Sequence, residues 1–281
     1  MSEPLSQTAT IRYATRGMRT ILLIAGVLVF LVGIQLYVLT NNTDRYFAWT
    51  VNPPLTAAFL GAAYWAACVL EFSAARQRVW ARMRCAVPAV LIFTTLTLII
   101  TLLHADRFHF TAPDALTRFA AWAWLAVYAV VPPIMAVLLL RQLRLPGGDP
   151  PRGKPIPSWM KGLLSVQAAV MLILGVGLLS MPPAFASIWP WSLTPLTGRA
   201  MGAWLVGLGV AVAQVIWEND FRRTRPVAIS AVVFAVLEFI AMARYPTDMS
   251  WSDARFWIYA AFLISMLVAG VYGWRAGGER R

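Results

Sequence analysis

Eight long stretches of the sequence carry almost no charge, and this feature limits the folds open to the chain more than any other. Seven are free of Asp, Glu, Lys and Arg, and the eighth is interrupted once, by Glu238. A helix of about 20 apolar residues spans the roughly 30 Å hydrocarbon core of a bilayer, whereas a barrel strand needs only about 10 residues. The stretches cover residues 20–43, 46–70, 85–105, 119–140, 162–198, 200–217, 226–243 and 256–274.

The composition excludes the common alternatives. Hydrophobic residues make up 59% of the chain and charged residues 13%, and the mean hydropathy is +0.66. A soluble domain carries about 25% charged residues, and a disordered chain has few aromatic residues. The sequence therefore predicts an all-α polytopic membrane protein with eight transmembrane helices.

The boundaries follow from the charges and prolines. Residues 1–144 are predicted to hold spans at about 20–40, 54–72, 86–105 and 119–141, and residues 159–281 to hold spans at about 162–180, 197–217, 227–244 and 256–274. The Pro/Gly-rich residues 145–158 form the predicted linker. The fifth helix is expected to end near Ser180, because Pro182 and Pro183 follow, and an interfacial loop then leads to the sixth. The first span is interpreted as a helix and not as a signal peptide, because it is too long and no small-residue cleavage motif follows it.

The basic residues predict the orientation. Of the 24 Lys and Arg residues, 18 lie in the tails and alternate loops that share one side, and 6 lie on the other. Basic loops stay in the cytoplasm, so both termini are predicted to be cytoplasmic in a plasma (inner) membrane. The acidic residues assigned to the cytoplasmic loops include Glu71. The net charge of +12 then faces anionic lipid headgroups and not a nucleic acid.

Matching motifs indicate an internal duplication. Residues 54–56 (Pro-Leu-Thr) and Gly61 recur as residues 195–197 and Gly202, at an offset of 141. An even number of spans in each half gives parallel repeats, hence two four-helix repeats. Small residues at the matching positions predict that the second and sixth helices pack near the axis between the halves. The linker residue Gly147, in contrast, is expected to tolerate a large side chain. A second set of matches, at an offset of 137, pairs Arg107 with Arg244 and Arg118 with Arg255.

Glu238 is the strongest candidate for a binding residue, being read as the only charge well inside a span. A carboxylate within a bilayer costs about 2.5–3.5 kcal/mol on insertion scales, which makes it a functional candidate by default. Its expected partner is Arg199, Arg244 or His104; a structural clamp or a protonated carboxyl is the alternative. The other candidate binding residues are Arg107, Arg118 and Arg255, for which salt bridges between outer loops are the alternative.

The remaining residue types indicate no chemistry. The two histidines, His104 and His109, lack further ligands for a metal, and the two cysteines, Cys68 and Cys85, are not placed for a disulfide or a thiolate site. No catalytic set or cofactor motif is recognisable, so the cofactor stays unknown and an enzyme is the less favoured interpretation. Tryptophans near span ends are expected to be interfacial anchors, among them Trp49, Trp80, Trp189 and Trp191.

Three classes of function stay open. Duplicated halves and one intramembrane carboxylate favour a small-solute or ion transporter, or a channel, with a site in the outer half of the membrane. A scaffold or accessory subunit, bound to another membrane protein or a second copy of the chain, is the alternative, and a lipid-acting or quinone-linked enzyme is the third. A polar cavity between the halves would separate the first class from the second.

Overall fold

Residues 10–278 form a bundle of eight long helices. The computed structural model describes residues 10–278, and within them it holds no β-strand, only two isolated bridges. A π-helical turn, Ile34–Val38, extends the first helix, and short helices and turns join the others. The long helices are α1 (Arg16–Gly33), α2 (Pro54–Ala75), α3 (Val87–Leu103), α4 (Ala115–Leu143), α5 (Ser158–Ser180), α6 (Pro195–Glu218), α7 (Phe221–Arg244) and α8 (Ala254–Gly278).

Length and composition suit these helices to a bilayer. Seven of them, with α1 extended to Val38, are long and apolar enough to cross a membrane. The other, α3, is also apolar but has 17 residues, which gives about 25 Å at 1.5 Å per residue. The chain is therefore a multi-pass membrane protein.

Local signals set the helix ends. Asp114 caps α4 by accepting a hydrogen bond from the Thr117 amide at 3.0 Å, and that amide and the Thr117 hydroxyl hold the pKa of Asp114 below its usual range. A capping box joins Thr194 and Thr197 at the start of α6. α6 ends at Asn219, which adopts a left-handed conformation (φ 48°) that Asn tolerates better than most residues.

The seventh helix begins earlier than the sequence suggests. The span predicted at about 227–244 starts just after Pro226, yet α7 starts at Phe221 and Pro226 lies inside. Asp220 explains the difference, because its carboxylate accepts from the amides of Arg222 (2.8 Å) and Arg223 (3.3 Å). Pro226 then lies in the second turn of α7, where it lacks the amide that would bond the Arg222 carbonyl.

The helices pack in matching pairs. α1 lies along α2 and α5 lies along α6, while α3 contacts α4 and α7 contacts α8. Across the middle of the bundle, α2 packs on α7 and α3 packs on α6. Two contacts secure these seams: the Phe93 and Trp204 rings stack at 3.8 Å, and the Ser230 hydroxyl donates to the Ala66 carbonyl at 2.8 Å.

The small residues of α2 and α6 serve a different contact from the one expected. A Cβ on Gly61 would lie 2.5 Å from the Tyr37 nitrogen, in the extension of α1. A Cβ on Gly202 would lie 2.8 Å from the Gly175 carbonyl oxygen of α5. Each of these two glycines therefore admits the helix that precedes its own in the chain: Gly61 admits the extension of α1, and Gly202 admits α5.

The linker is also more constrained than expected. Gly147 has a φ of 108°, and a Cβ there would lie 2.7 Å from the Thr10 carbonyl oxygen. The expectation that Gly147 tolerates a large side chain is therefore wrong, because both its conformation and its neighbour require glycine.

Candidate functional site

Glu238 is fully buried in α7, six residues before that helix ends. Its Oε2 atom accepts a hydrogen bond from the Tyr259 hydroxyl of α8 at 2.7 Å. Its Oε1 atom has no hydrogen-bond partner in the described part of the chain. The carboxyl group is thus held by one neutral donor and meets no counter-charge there.

A cavity of about 280 Å³ lies on the other side of Tyr259. Residues of α5, α6 and α8 form most of its wall, and the loop before α6 contributes Trp189 and Pro190. Arg255 also lines it, and its guanidinium pairs with Asp253 (Nε to Oδ2, 2.8 Å). The aromatic part of the wall consists of Phe59, Trp189, Phe234, Tyr259 and Phe262.

The tryptophans of this loop are interior residues and not interfacial anchors. Trp191 is 4% exposed, donates through Nε1 to the Thr56 hydroxyl at 2.9 Å, and contacts the Tyr259 ring. Trp189 is equally buried, and its Nε1 has no partner among the described residues. Trp49 and Trp80 are buried too, because the loops before α2 and α3 fold back onto the helices.

The basic residues expected beside Glu238 lie elsewhere. Arg199 donates to His104 Nε2 at 2.7 Å and to the Leu179 carbonyl at 3.0 Å. The hydrogen bond from arginine makes Nε2 of His104 an acceptor, which identifies a neutral imidazole. The structure therefore brings two of the predicted residues together, but apart from the carboxylate.

Arg244 also meets aromatic and carbonyl groups. Its guanidinium donates to the Tyr37 carbonyl at 2.7 Å and lies 5.2 Å from the ring centroids of Tyr37 and Tyr245. Tyr37 in turn donates its hydroxyl to the Leu237 carbonyl at 2.7 Å. These two bonds of Tyr37 fix the extension of α1 against α7, and the bond to Leu237 lies one residue from Glu238.

The other predicted binding residues have local partners. Arg107 pairs with Asp106 at 3.0 Å, with both side chains largely exposed. Arg118 donates to the Ala112 carbonyl at 2.9 Å. With the Arg255–Asp253 pair, these three contacts lie within single loops or helix starts, and none of them is a salt bridge between two outer loops.

A second buried carboxyl was missed by the sequence analysis. Glu71 was counted with the cytoplasmic loops, but α2 continues to Ala75 and Glu71 is 2% exposed. Glu238 is therefore not the only carboxyl buried within a long helix. The uninterrupted helix formers from Glu71 to Ala75 were the available signal, hidden because the chain was divided at its charges.

A cluster of charges near the α6–α7 turn was also missed. Glu218 is fully buried and accepts from Arg84 (2.9 Å) and Arg223 (3.1 Å), and both arginines also reach Asp149, at 2.7 and 3.3 Å. The linker is therefore fixed to the segment before α3 and to the start of α7. Burial raises the pKa of the adjacent Cys85 thiol to about 12, so this thiol stays neutral at physiological pH.

Neither metal-ligand clusters nor similarity to known proteins indicates a function. Within residues 10–278, no three His, Cys, Asp or Glu side chains come together in a way that could hold a metal ion. Comparison with protein-family models, with curated proteins and with solved structures found no match, so the function is argued from the residues of this chain alone.

Proposed function

We propose that this protein is a small-solute transporter whose solute site is the 280 Å³ cavity beside Tyr259 and Glu238. The single observation that carries the proposal is a fully buried carboxyl, one hydrogen bond behind the wall of an aromatic cavity. A structural carboxyl would be expected to have both oxygens satisfied, because an unpaired buried acceptor costs about 1–3 kcal/mol.

The wall and the carboxyl favour a small aromatic or aliphatic cation. Aromatic faces attract cations, and a buried carboxylate without a counter-charge needs either a proton or a cation nearby. Arg255 does not oppose this, because Asp253 neutralises it. A proton on Glu238 and a cation in the cavity would then exclude each other, which is the basis of proton–solute exchange.

We also propose the architecture of two parallel four-helix repeats with eight spans and cytoplasmic termini in a plasma (inner) membrane. The helix pairs support it: α1–α2 corresponds to α5–α6, α3–α4 to α7–α8, and α2–α7 to α6–α3. The close contacts correspond as well. Gly61 contacts Tyr37, and Gly202 contacts Leu178; each residue of the second pair lies 141 residues after its counterpart in the first. The basic side would face anionic headgroups, with a second membrane protein or another copy as partner.

The proposal is tested by binding of a defined probe to the purified protein in nanodiscs. The probe is tritiated trimethyl(2-naphthylmethyl)ammonium, with its uncharged neopentyl isostere as a competitor. Leu174→Trp should fill the cavity and abolish binding, whereas Ile173→Trp, at a neighbouring exposed position, should not. Glu238→Gln should weaken binding about tenfold, or about 1.4 kcal/mol.

Two results would contradict the transporter. Binding that is equal in the Leu174→Trp and Ile173→Trp variants would place the probe in the lipid or detergent. No binding in a folded parent protein, together with a stable Glu238→Gln variant, would favour the scaffold or accessory subunit.

A further inference from the structure

A second cavity, of about 60 Å³, lies between the two halves of the bundle. Helices α1 to α4 line it from one half, and α6 and α7 line it from the other. Its polar lining consists of Glu71, Thr94, Tyr128, Ser230 and the indole of Trp204, and no Lys or Arg lines it. Leu208 lines both this cavity and the 280 Å³ cavity, so the two adjoin at this residue.

Glu71 is the unsatisfied group of this inner cavity. It makes no hydrogen bond and no ion pair among the described residues, and its Oε2 atom is fully buried without a partner. A carboxyl group in such a place must be neutral or must bind something positive, because an isolated buried carboxylate is far more costly than a hydrogen-bonded one.

The neighbouring hydroxyls mostly offer acceptors. Thr94 donates its proton to the Val90 carbonyl at 2.8 Å, and Ser230 donates to the Ala66 carbonyl at 2.8 Å. A deprotonated Glu71 would face the oxygen lone pairs of these two hydroxyls, whereas a protonated Glu71 could donate a hydrogen bond to them. The wall therefore suits the acid form of the carboxyl and water molecules bridging to the hydroxyls.

The size of the cavity limits its occupant. A single water needs about 10–15 Å³ of such space, and an engineered cavity of about 150 Å³ binds benzene. At about 60 Å³ the inner cavity has room for a few waters and for no molecule of solute size. A proton carried by water is the positive ligand that fits.

The titratable groups facing Glu71 are few. Tyr64 and Cys68 lie on its own helix, and Tyr128 faces it from α4. The Tyr64 and Tyr128 hydroxyls bond each other at 2.7 Å, which leaves one hydroxyl proton for a water. The lining residues of α1, α3, α6 and α7 carry no ionisable side chain.

We propose that Glu71 and the inner cavity form a hydrated proton-binding site at the interface of the halves. The carboxylate takes one proton from a hydronium ion, which leaves as water, and returns it by the reverse step. Its use in coupling rests on the proposed transport function, with Leu208 lining both this site and the solute cavity. The protonation itself does not depend on transport.

Infrared difference spectroscopy of the protein reconstituted in lipid tests the proposal. On lowering the pH, the parent should gain a carboxylic-acid C=O band that is lost in Glu71→Gln and kept in Glu238→Gln. The band should shift when D₂O replaces H₂O. Identical spectra for the parent and Glu71→Gln, over the pH range in which both stay folded, would overturn the proposal.

Two further variants keep the test decisive. If Glu71→Gln does not fold, Glu71→Asp takes its place, because it retains a carboxylic acid and should shift the frequency of the C=O band. A band at the parent's frequency would exclude Glu71 as its source. Ala211→Leu should fill the cavity, leave the carboxyl in place and slow D₂O exchange of the band at least tenfold. Exchange as fast as in the parent would refute the hydrated cavity. If the Glu71 band is present but the ammonium probe does not bind, only the proposed transport function is contradicted.

Discussion

At the residue scale, Tyr259 decides what Glu238 can do. The tyrosine lines the solute cavity with its ring and donates its hydroxyl to the buried carboxyl. It was not identified from the sequence, because a single tyrosine in an apolar helix has no distinctive neighbours. Glu238 was identified, because it interrupts an otherwise charge-free stretch.

Removing the Tyr259 hydroxyl should destabilise the protein. Tyr259→Phe leaves both oxygens of Glu238 without a partner, at a cost of about 1–3 kcal/mol. Glu238→Gln keeps an acceptor for Tyr259 and should lower the melting temperature in detergent much less. If the double variant is no less stable than Tyr259→Phe alone, the two side chains act together; fully additive losses would show that they act separately.

At the element scale, two tight contacts between helices depend on glycine. Gly61 and Gly202 allow α1 and α5 to reach van der Waals distance of the α2 and α6 backbones. The sequence indicated the stripes but not which helices pack against them, because a small residue shows where a neighbour can come close and not which neighbour it is.

Gly61→Leu and Gly202→Leu should therefore each reduce folded yield and stability by at least about 1–3 kcal/mol. Gly162→Leu is the matched control, since that glycine lies in α5 with open space where a Cβ would stand. Size-exclusion chromatography and thermal melting give the comparison. Equal behaviour of all three variants would contradict the packing.

The buried charge cluster joins the linker to the segment before α3 and to the α6–α7 turn. Glu218→Gln should lower the free energy of unfolding by about 3–5 kcal/mol, because Arg84 and Arg223 lose their shared buried carboxylate. Asp106→Asn removes an exposed pair and should change the melting temperature little. A harmless Glu218→Gln would mean that Asp149 alone holds both arginines.

At the scale of the whole molecule, the helical multi-pass membrane class could be read from the sequence, because charge-free length is a strong signal. The folded loops could not. Trp189 and Trp191 resemble interfacial anchors in sequence, and only the packing of their loop on α2 and α8 buries them. Long-range contacts of this kind leave no local pattern.

The proposed orientation predicts which loops meet the cytoplasm. Cysteine replacing Gly148, which is exposed, should react only with reagents that enter the cell, and cysteine replacing Ser252 should react with impermeant maleimide from outside. Asp220 is unsuitable as a labelling position because it is buried. Labelling of the Gly148 variant from outside would reverse the orientation.

The most direct test of the central claim is uptake of trimethyl(2-naphthylmethyl)ammonium into proteoliposomes under an imposed pH gradient. The permanent charge keeps the probe from crossing lipid by itself. The account predicts uptake by the parent and by Ile173→Trp, with uptake lost in Leu174→Trp and in Glu238→Gln although both variants stay folded. Uptake that is the same in all four proteins, or that is absent from a folded parent that binds the probe, would contradict it.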